Sequence, residues 1–324
     1  MTMYKEPAAV VREMNTLGAE RVPFLFAFDY ELRHALLVAN PLQQDEVLFS
    51  VRGVTNRKTV LDHPQIALQA FPIDYGRYAQ GFDVIRRALM RGDSYLANYT
   101  VKTPIQMNAS LLDVFNASRA PYCLYVPDQF VCFSPERFVH LRQGLISTYP
   151  MKGTIDASVP DAEQVILADA KETAEHVTVV DLLRNDIGMV SSRVEVSRFR
   201  FIDRIDTPQR SILQVSSEIQ GVLHDDWRAR LGDILWTLMP AGSICGAPKD
   251  STVRAIAAAE QQPRGFYTGV FGYFDGDSLD SAVLIRFIEQ EEDRLFFRSG
   301  GGITVNSSCR SEYDEVNQKI YIPV

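Results

Sequence analysis

The chain has 324 residues, 46% of them hydrophobic and 23% charged, with a formal net charge of -8. That length supports a substantial buried core. The acidic balance argues against a nonspecific nucleic-acid binder, which displays a basic face, and an anionic ligand would need local cations rather than a global field.

Taken in chain order, the first residues, MTMYKEPAAVVREMN, lack the apolar run of a signal peptide. No segment approaches the about 20 apolar residues of a membrane helix, so a cytoplasmic protein is expected. FLFAFDY (24–30) reads as a strand and GFDVIRRALMRG (81–92) as a helix. Three strands follow, YCLYV (122–126), FVCFS (130–134) and FVHLR (138–142). Residues 160–188 read as a long helix, broken once and stopped by Gly188. VEVSRFRFI (194–202) is strand-like, LGDILWTLM (231–239) helical, and PKDSTVRAIAAAEQQ (248–262) a helix ending before Pro263. AVLIRFIE (282–289) and LFFRSG (295–300) complete the strands. Strands cluster and helices fall between the clusters, which predicts an α+β fold with large mixed or antiparallel sheets. No linker or repeat divides the chain, so residues 1–324 are expected to form a single domain. Cys123, Cys132, Cys245 and Cys309 form no CxxC pair and read as reduced core thiols.

Two acidic faces carry candidate chemistry. Glu172 and Glu175 share a helix face that runs on into Val179 and Leu182. Carboxylates leading into an apolar stripe are costly unless paired or metal-bound. Glu312, Glu315 and Lys319 repeat the spacing in SEYDEVNQKI. Two such pairs suit one hard cation such as Mg²⁺, which takes oxygen ligands and shares them with an anionic substrate. The competing reading is two solvated faces, with glutamates favoured in a first helical turn by the dipole. His176 points about 100° away from Glu175 and reads as a packing histidine.

Two glycine-rich stretches read as turns that are either tight connections or anion sites: PAGSICGAPK (240–249), opening a helix at Pro248, and SGGGIT (299–304), following a strand. Neither is followed by the GKS or GKT of a P-loop. Arg286, read as part of a sheet strand, would need an anionic partner.

Together SPERF (134–138), PMKGT (150–154), AEHVTVVDLLRNDIG (174–188), PAGSICGAPK, RGFYTGVFGY (264–273), the Arg286 segment and GGGI…EYDE…K (300–319) resemble, in order, the chorismate-utilising enzyme family. The resemblance covers roughly residues 80–324; the first 80 residues match weakly and look like a short amino-terminal portion of the same fold. It implies β-sheets packed as a sandwich with helices outside. It also implies Glu175 and Glu315 as direct Mg²⁺ ligands, with Glu172 and Glu312 beside them. Tyr267, Arg286, Lys319, Gly153, Thr154 and the backbone of Gly300, Gly301 and Gly302 would hold the two carboxylates of chorismate.

Within that family, the residue before Gly-Thr is typically alanine in anthranilate, isochorismate and salicylate synthases. It is lysine in the branch that aminates chorismate at C4. Lys152 occupies that position, and the resemblance implies a covalent adduct through its amine. An unperturbed lysine, with a pKa of about 10.4, is almost wholly protonated at neutral pH, so such a nucleophile requires desolvation or nearby positive charge. Glu136 of SPERF stands at the family's spacing for a general acid, on a strand adjacent to that of Lys152 across the turn near Gly144; an ion pair with Arg137 is its competing role. Members that add water carry a lysine base where this chain has Leu96, so amination by ammonia from a separate glutamine amidotransferase subunit is expected. Gln214 departs from the histidine usual in aminating members, and glutamine cannot shuttle a proton. Anthranilate synthase chemistry, with amination at C2 and pyruvate release, and a non-catalytic chorismate-binding role are the alternatives.

Overall fold

The structure, a computed structural model, describes residues 4–58, 65–206 and 211–323. Its strands are β1 (Phe24–Phe28), β2 (Ala35–Ala39), β3 (Leu48–Val51), β4 (Val54–Thr55), β5 (Leu68–Ala70), β6 (Leu96–Met107), β7 (Tyr122–Val126), β8 (Phe130–Ser134) and β9 (Arg137–Arg142). They continue with β10 (Leu145–Thr148), β11 (Met151–Asp156), β12 (Val194–Asp206), β13 (Ser211–Val222), β14 (Gly246–Ala247), β15 (Val270–Phe274), β16 (Ser278–Val283), β17 (Phe287–Glu291) and β18 (Arg294–Ile303). The helices are α1 (Pro7–Ala19), α2 (Tyr75–Met90), α3 (Leu111–Ala117), α4 (Ala162–Ala168), α5 (Ala170–Gly188), α6 (Leu231–Leu238), α7 (Lys249–Glu260) and α8 (Cys309–Gln318).

One nine-stranded sheet runs β11-β13-β10-β9-β16-β15-β1-β2, with β12 also paired to β13. The second runs β14-β6-β18-β17-β8-β7-β3-β4, with β5 also paired to β6. The strand pairings are antiparallel throughout. The sheets pack face to face, which explains the unbroken apolar run of β1. Phe24, Phe26 and Phe28 face α1 and α6 through Met14, Leu231 and Leu235. Leu25 and Ala27 face Phe49, Leu124 and Phe130 of the other sheet. Period-2 alternation thus divides one strand between two cores. Helices α2, α7 and α8 cover the outer face of the second sheet, where Tyr78, Phe82, Ile256 and Val316 meet Tyr99, Val101 and Ile303. The expected sandwich with helices outside is what forms.

Three local readings are refined by this topology. The helix expected over 160–188 breaks at Asp169, whose extended backbone starts α5 and whose carboxylate accepts the Glu172 N–H at 2.9 Å. The strand expected over 282–289 is two strands. β16 belongs to the first sheet and β17 to the second, so the chain crosses between layers at Leu284–Arg286, with Arg286 at φ 54°. The SGGGIT stretch is not a turn: Gly300, Gly301 and Gly302 lie in β18, opposite Thr100, Tyr99 and Asn98 of β6.

Candidate active site

Glu136 precedes β9, and β9 and β10 form the hairpin around Gly144. β11 does not pair with β9. It continues the line of β10 along β13, after a break at Tyr149 and Pro150. The β9–β10 register, Leu145 opposite Arg142 and Ser147 opposite His140, would bring Met151 level with Glu136 if carried past that break. Lys152 follows Met151 and is half-buried. Glu136 makes no pair with Arg137, which binds Asp280 at 2.8 Å and the Tyr122 hydroxyl at 2.7 Å. Instead Ser243 Oγ donates to Glu136 Oε1 at 2.7 Å. Sequence reasoning passed over Ser243, whose one signal was its place within PAGSICGAPK.

The register of β11 on β13 shifts between Met151 and Thr154, and Gly153 takes φ +81° within the shift. This bulge faces the start of α5. A β-carbon at Gly153 would lie 3.1 Å from Glu172 Oε2, so glycine serves both the backbone and the close approach. Thr154 stands opposite Gln214. Nearly two turns into α5, His176 is buried and its Nε2 lies 2.7 Å from Ser217 Oγ. Burial foremost, then the charges of Arg200 and Lys152, push its pKa down to about 4. The imidazole is a neutral packing group, and the Lys152 side chain stands near enough to act on it.

The second wall is β18 with α8. Gly301 faces the helix: a β-carbon there would stand 3.5 Å from Glu312 Oε2, 3.7 Å from Glu315 Oε1 and 3.8 Å from Lys319 Nζ. Lys319 donates to the Gly300 carbonyl at 2.8 Å and pairs with Glu315 at 2.7 Å. The face expected from the spacing of Glu312, Glu315 and Lys319 is therefore present and turned toward the glycines. On the opposite face of β18, a β-carbon at Gly302 would meet Leu96 Cδ1 at 3.1 Å, so the Leu96 side chain closes that side with hydrocarbon.

Arg286 and Tyr267 stand close enough that the guanidinium acts on the phenol, whose pKa burial pushes up to about 12. Arg286 Nε is buried without a hydrogen-bond partner, a donor in search of an oxygen. The 240–249 stretch is a packed bridge. Lys249 pairs with Asp186 of α5 at 2.9 Å, and Gly246, at φ +129°, lets β14 reach β6 where any β-carbon would strike the Leu96 carbonyl at 1.8 Å.

Glu172, Glu175, Glu312 and Glu315 offer only carboxylate oxygens, the donor set a hard cation takes. Among the described residues no three acidic, histidine or cysteine side chains gather closely enough to hold a metal ion. The structure thus places Glu172 against Gly153, and Glu312 with Glu315 against Gly301.

A model of the family of chorismate binding enzymes matches residues 16–323. An uncharacterised PabA-like protein of Pasteurella multocida is 51% identical over 321 residues, 98% of each chain. Aminodeoxychorismate synthase component 1 of Bacillus subtilis is 32% identical over 267 residues, 78% of this chain and 56% of that one. Anthranilate synthase component 1 of Pseudomonas aeruginosa is 29% identical over 315 residues, 88% of this chain and 63% of that one. This chain therefore spans less than two thirds of the length of either synthase. Among solved structures, anthranilate synthase component I of Streptococcus pneumoniae superposes with a TM-score of 0.66 at 25% identity, covering 80% of this chain and 60% of that one. The isochorismate synthase MenF of Escherichia coli superposes with a TM-score of 0.74 at 16% identity, covering 98% and 82%, and speaks to the fold alone. With the family match running through β11, α5, β18 and α8, the chain belongs to the chorismate-binding enzyme family.

Proposed function

We propose that this protein aminates chorismate at C4, giving 4-amino-4-deoxychorismate, with ammonia delivered by a separate glutamine amidotransferase subunit. In the first step the neutral Lys152 amine attacks ring carbon C2. The ring double bonds shift, the C4–O bond breaks, and Glu136 gives the proton with which the hydroxyl leaves as water. In the second step ammonia attacks C4, the double bonds shift back, and the C2–N bond to Lys152 breaks. Arg286, Tyr267, Lys319 and the backbone of Gly153, Thr154 and Gly300–Gly302 hold the two carboxylates. Mg²⁺, when bound through Glu175 and Glu315 with Glu172 and Glu312 beside them, supplies positive charge to a substrate carboxylate. Ser243 fixes the Glu136 carboxyl by its 2.7 Å hydrogen bond.

The observation that carries this reading is the placement of Lys152. It is half-buried in the bulged strand β11, next to the glycine that touches Glu172. The competing reading is anthranilate formation, favoured by the match to the Pseudomonas aeruginosa enzyme at 29% identity. The test is product identity. Purified protein with chorismate, Mg²⁺ and ammonium salt is expected to accumulate a non-fluorescent amino product that yields p-aminobenzoate only after a lyase is added. Fluorescent anthranilate without a lyase overturns the assignment. Lys152→Ala is expected to lose most of the product, and unchanged turnover would remove the covalent step.

A further inference from the structure

The residues after α8 carry two site groups and two anchors in alternation. Ile320 and Ile322 pack into the outer core with Ile105, Phe133 and Phe297. The intervening Lys319 and Tyr321 reach other groups. Lys319 reaches the Gly300 carbonyl at 2.8 Å, and the ring of Tyr321 lies against the guanidinium of Arg286, 5.3 Å from Cζ to the ring centroid. Arg286 is constrained from three further directions. Its φ is 54°, its carbonyl accepts the Phe133 N–H at 2.9 Å, and its side chain stands near the buried Tyr267. Yet its Nε is buried with no acceptor. A guanidinium whose face is taken by an aromatic ring keeps its edge free, and the edge is what meets a carboxylate in two parallel hydrogen bonds.

We propose that Tyr321 is a positioning residue for the substrate carboxylate, its ring fixing the plane of Arg286 so that the guanidinium edge presents to the ligand. This rests on the reading that Arg286 receives a carboxylate of chorismate. It does not depend on which carbon is aminated. The role belongs to the aromatic face and not to the hydroxyl.

The test is chorismate affinity, titrated at equilibrium without ammonia, for the full chain and its Tyr321→Phe, Tyr321→Leu, Arg286→Gln and Tyr321→Leu/Arg286→Gln variants. Tyr321→Leu is expected to weaken binding about three- to fivefold, the size of a cation–π contact at a half-exposed site, with its melting temperature unchanged. Tyr321→Phe is expected to bind as the unaltered chain does. In the Arg286→Gln background the leucine is expected to cost nothing further. Wild-type affinity in Tyr321→Leu, a phenylalanine variant as weak as the leucine one, additive losses in the double variant, or full affinity in Arg286→Gln would each overturn the proposal. Anthranilate as the product would remove the proposed function and leave this inference standing.

Discussion

Gly301→Ala separates a structural glycine from a functional one. Gly301 does not have positive φ, and the nearest atoms to an added β-carbon, Glu312 Oε2 and Glu315 Oε1, would lie at 3.5 and 3.7 Å, ordinary contact distances. The methyl therefore fits. Alanine in a strand interior is favoured over glycine by about 0.5–1 kcal/mol, which is expected to raise the melting temperature by about 1 °C in a chain of 324 residues. The same methyl occupies the space between β18 and the α8 carboxylates, where a substrate carboxylate would approach the backbone. Losing one charged hydrogen bond of about 1.5–3 kcal/mol is about a 10- to 150-fold loss of chorismate affinity. Gly300→Ala is the contrast. Its β-carbon would lie 2.7 Å from Thr100 Cγ2 and 2.9 Å from the Tyr99 carbonyl, and overpacking of this kind costs about 1–3 kcal/mol. Thermal melts together with chorismate titrations check both. A Gly301→Ala protein that melts several degrees lower, or that binds chorismate as tightly as the parent, refutes the assignment of the β18–α8 gap as the ligand site.

Arg264→Met is expected to cost about 3–5 kcal/mol in urea unfolding, because Glu260 is then left as an unpaired buried charge; Arg264 is 1% exposed and binds Glu260 at 2.7 Å. Lys319→Met is expected to change stability by less than about 1 kcal/mol, since its pair with Glu315 is partly exposed. It should bind Mn²⁺ more tightly in the absence of chorismate, read by electron paramagnetic resonance, while binding chorismate more weakly. Tyr267 keeps its proton to about pH 12 when folded, through burial, and to about pH 10 when unfolded. The native state therefore binds more protons across that window, and stability falls as pH rises through it. Tyr267→Phe is expected to remove about 1 kcal/mol of that alkaline loss between pH 9 and pH 11, measured by denaturant unfolding at the two pH values.

Much of the fold was legible because its strands are apolar on both faces. β1, β7 and β8 are buried at every or nearly every position, and such runs stand out in a sequence. The twelve-residue strands β6 and β13 did not stand out. They alternate polar and apolar residues, with Asn98, Thr100 and Lys102 in one and Gln214, Ser216 and Glu218 in the other. Their partners lie far away in sequence, with Gly302 opposite Asn98 and Thr154 opposite Gln214. The break at Arg286 was hidden for the opposite reason, since the apolar residues of AVLIRFIE run up to and resume directly after the one arginine at the crossing between sheets. Helical spacing did place Glu312, Glu315 and Lys319 on one face, because i, i+3 and i+7 are a local property. That Gly301 meets that face, and that Ser243 meets Glu136, depends on tertiary pairing that no local pattern encodes.

The position of Leu96 bears on which nucleophile the site is built to use. It is buried, and its Cδ1 would stand 3.1 Å from a β-carbon at Gly302, one residue beyond the glycine that meets the α8 carboxylates. Water attacking a ring carbon must lose a proton to a base, and a leucine at this place offers none. Ammonia needs no such base to attack, because its lone pair is already free. If the proposed adduct forms, a hydrocarbon side chain at this place would give competing water no polar group to order it. Leu96→Lys provides the discriminating measurement. If the wall serves to exclude water chemistry, the variant should lose amination and release detectable hydroxylated product from chorismate and Mg²⁺ alone. If amination proceeds undiminished with a lysine at this position, the side chain at 96 has no part in the choice of nucleophile, and the case for an aminating enzyme rests on Lys152 without it.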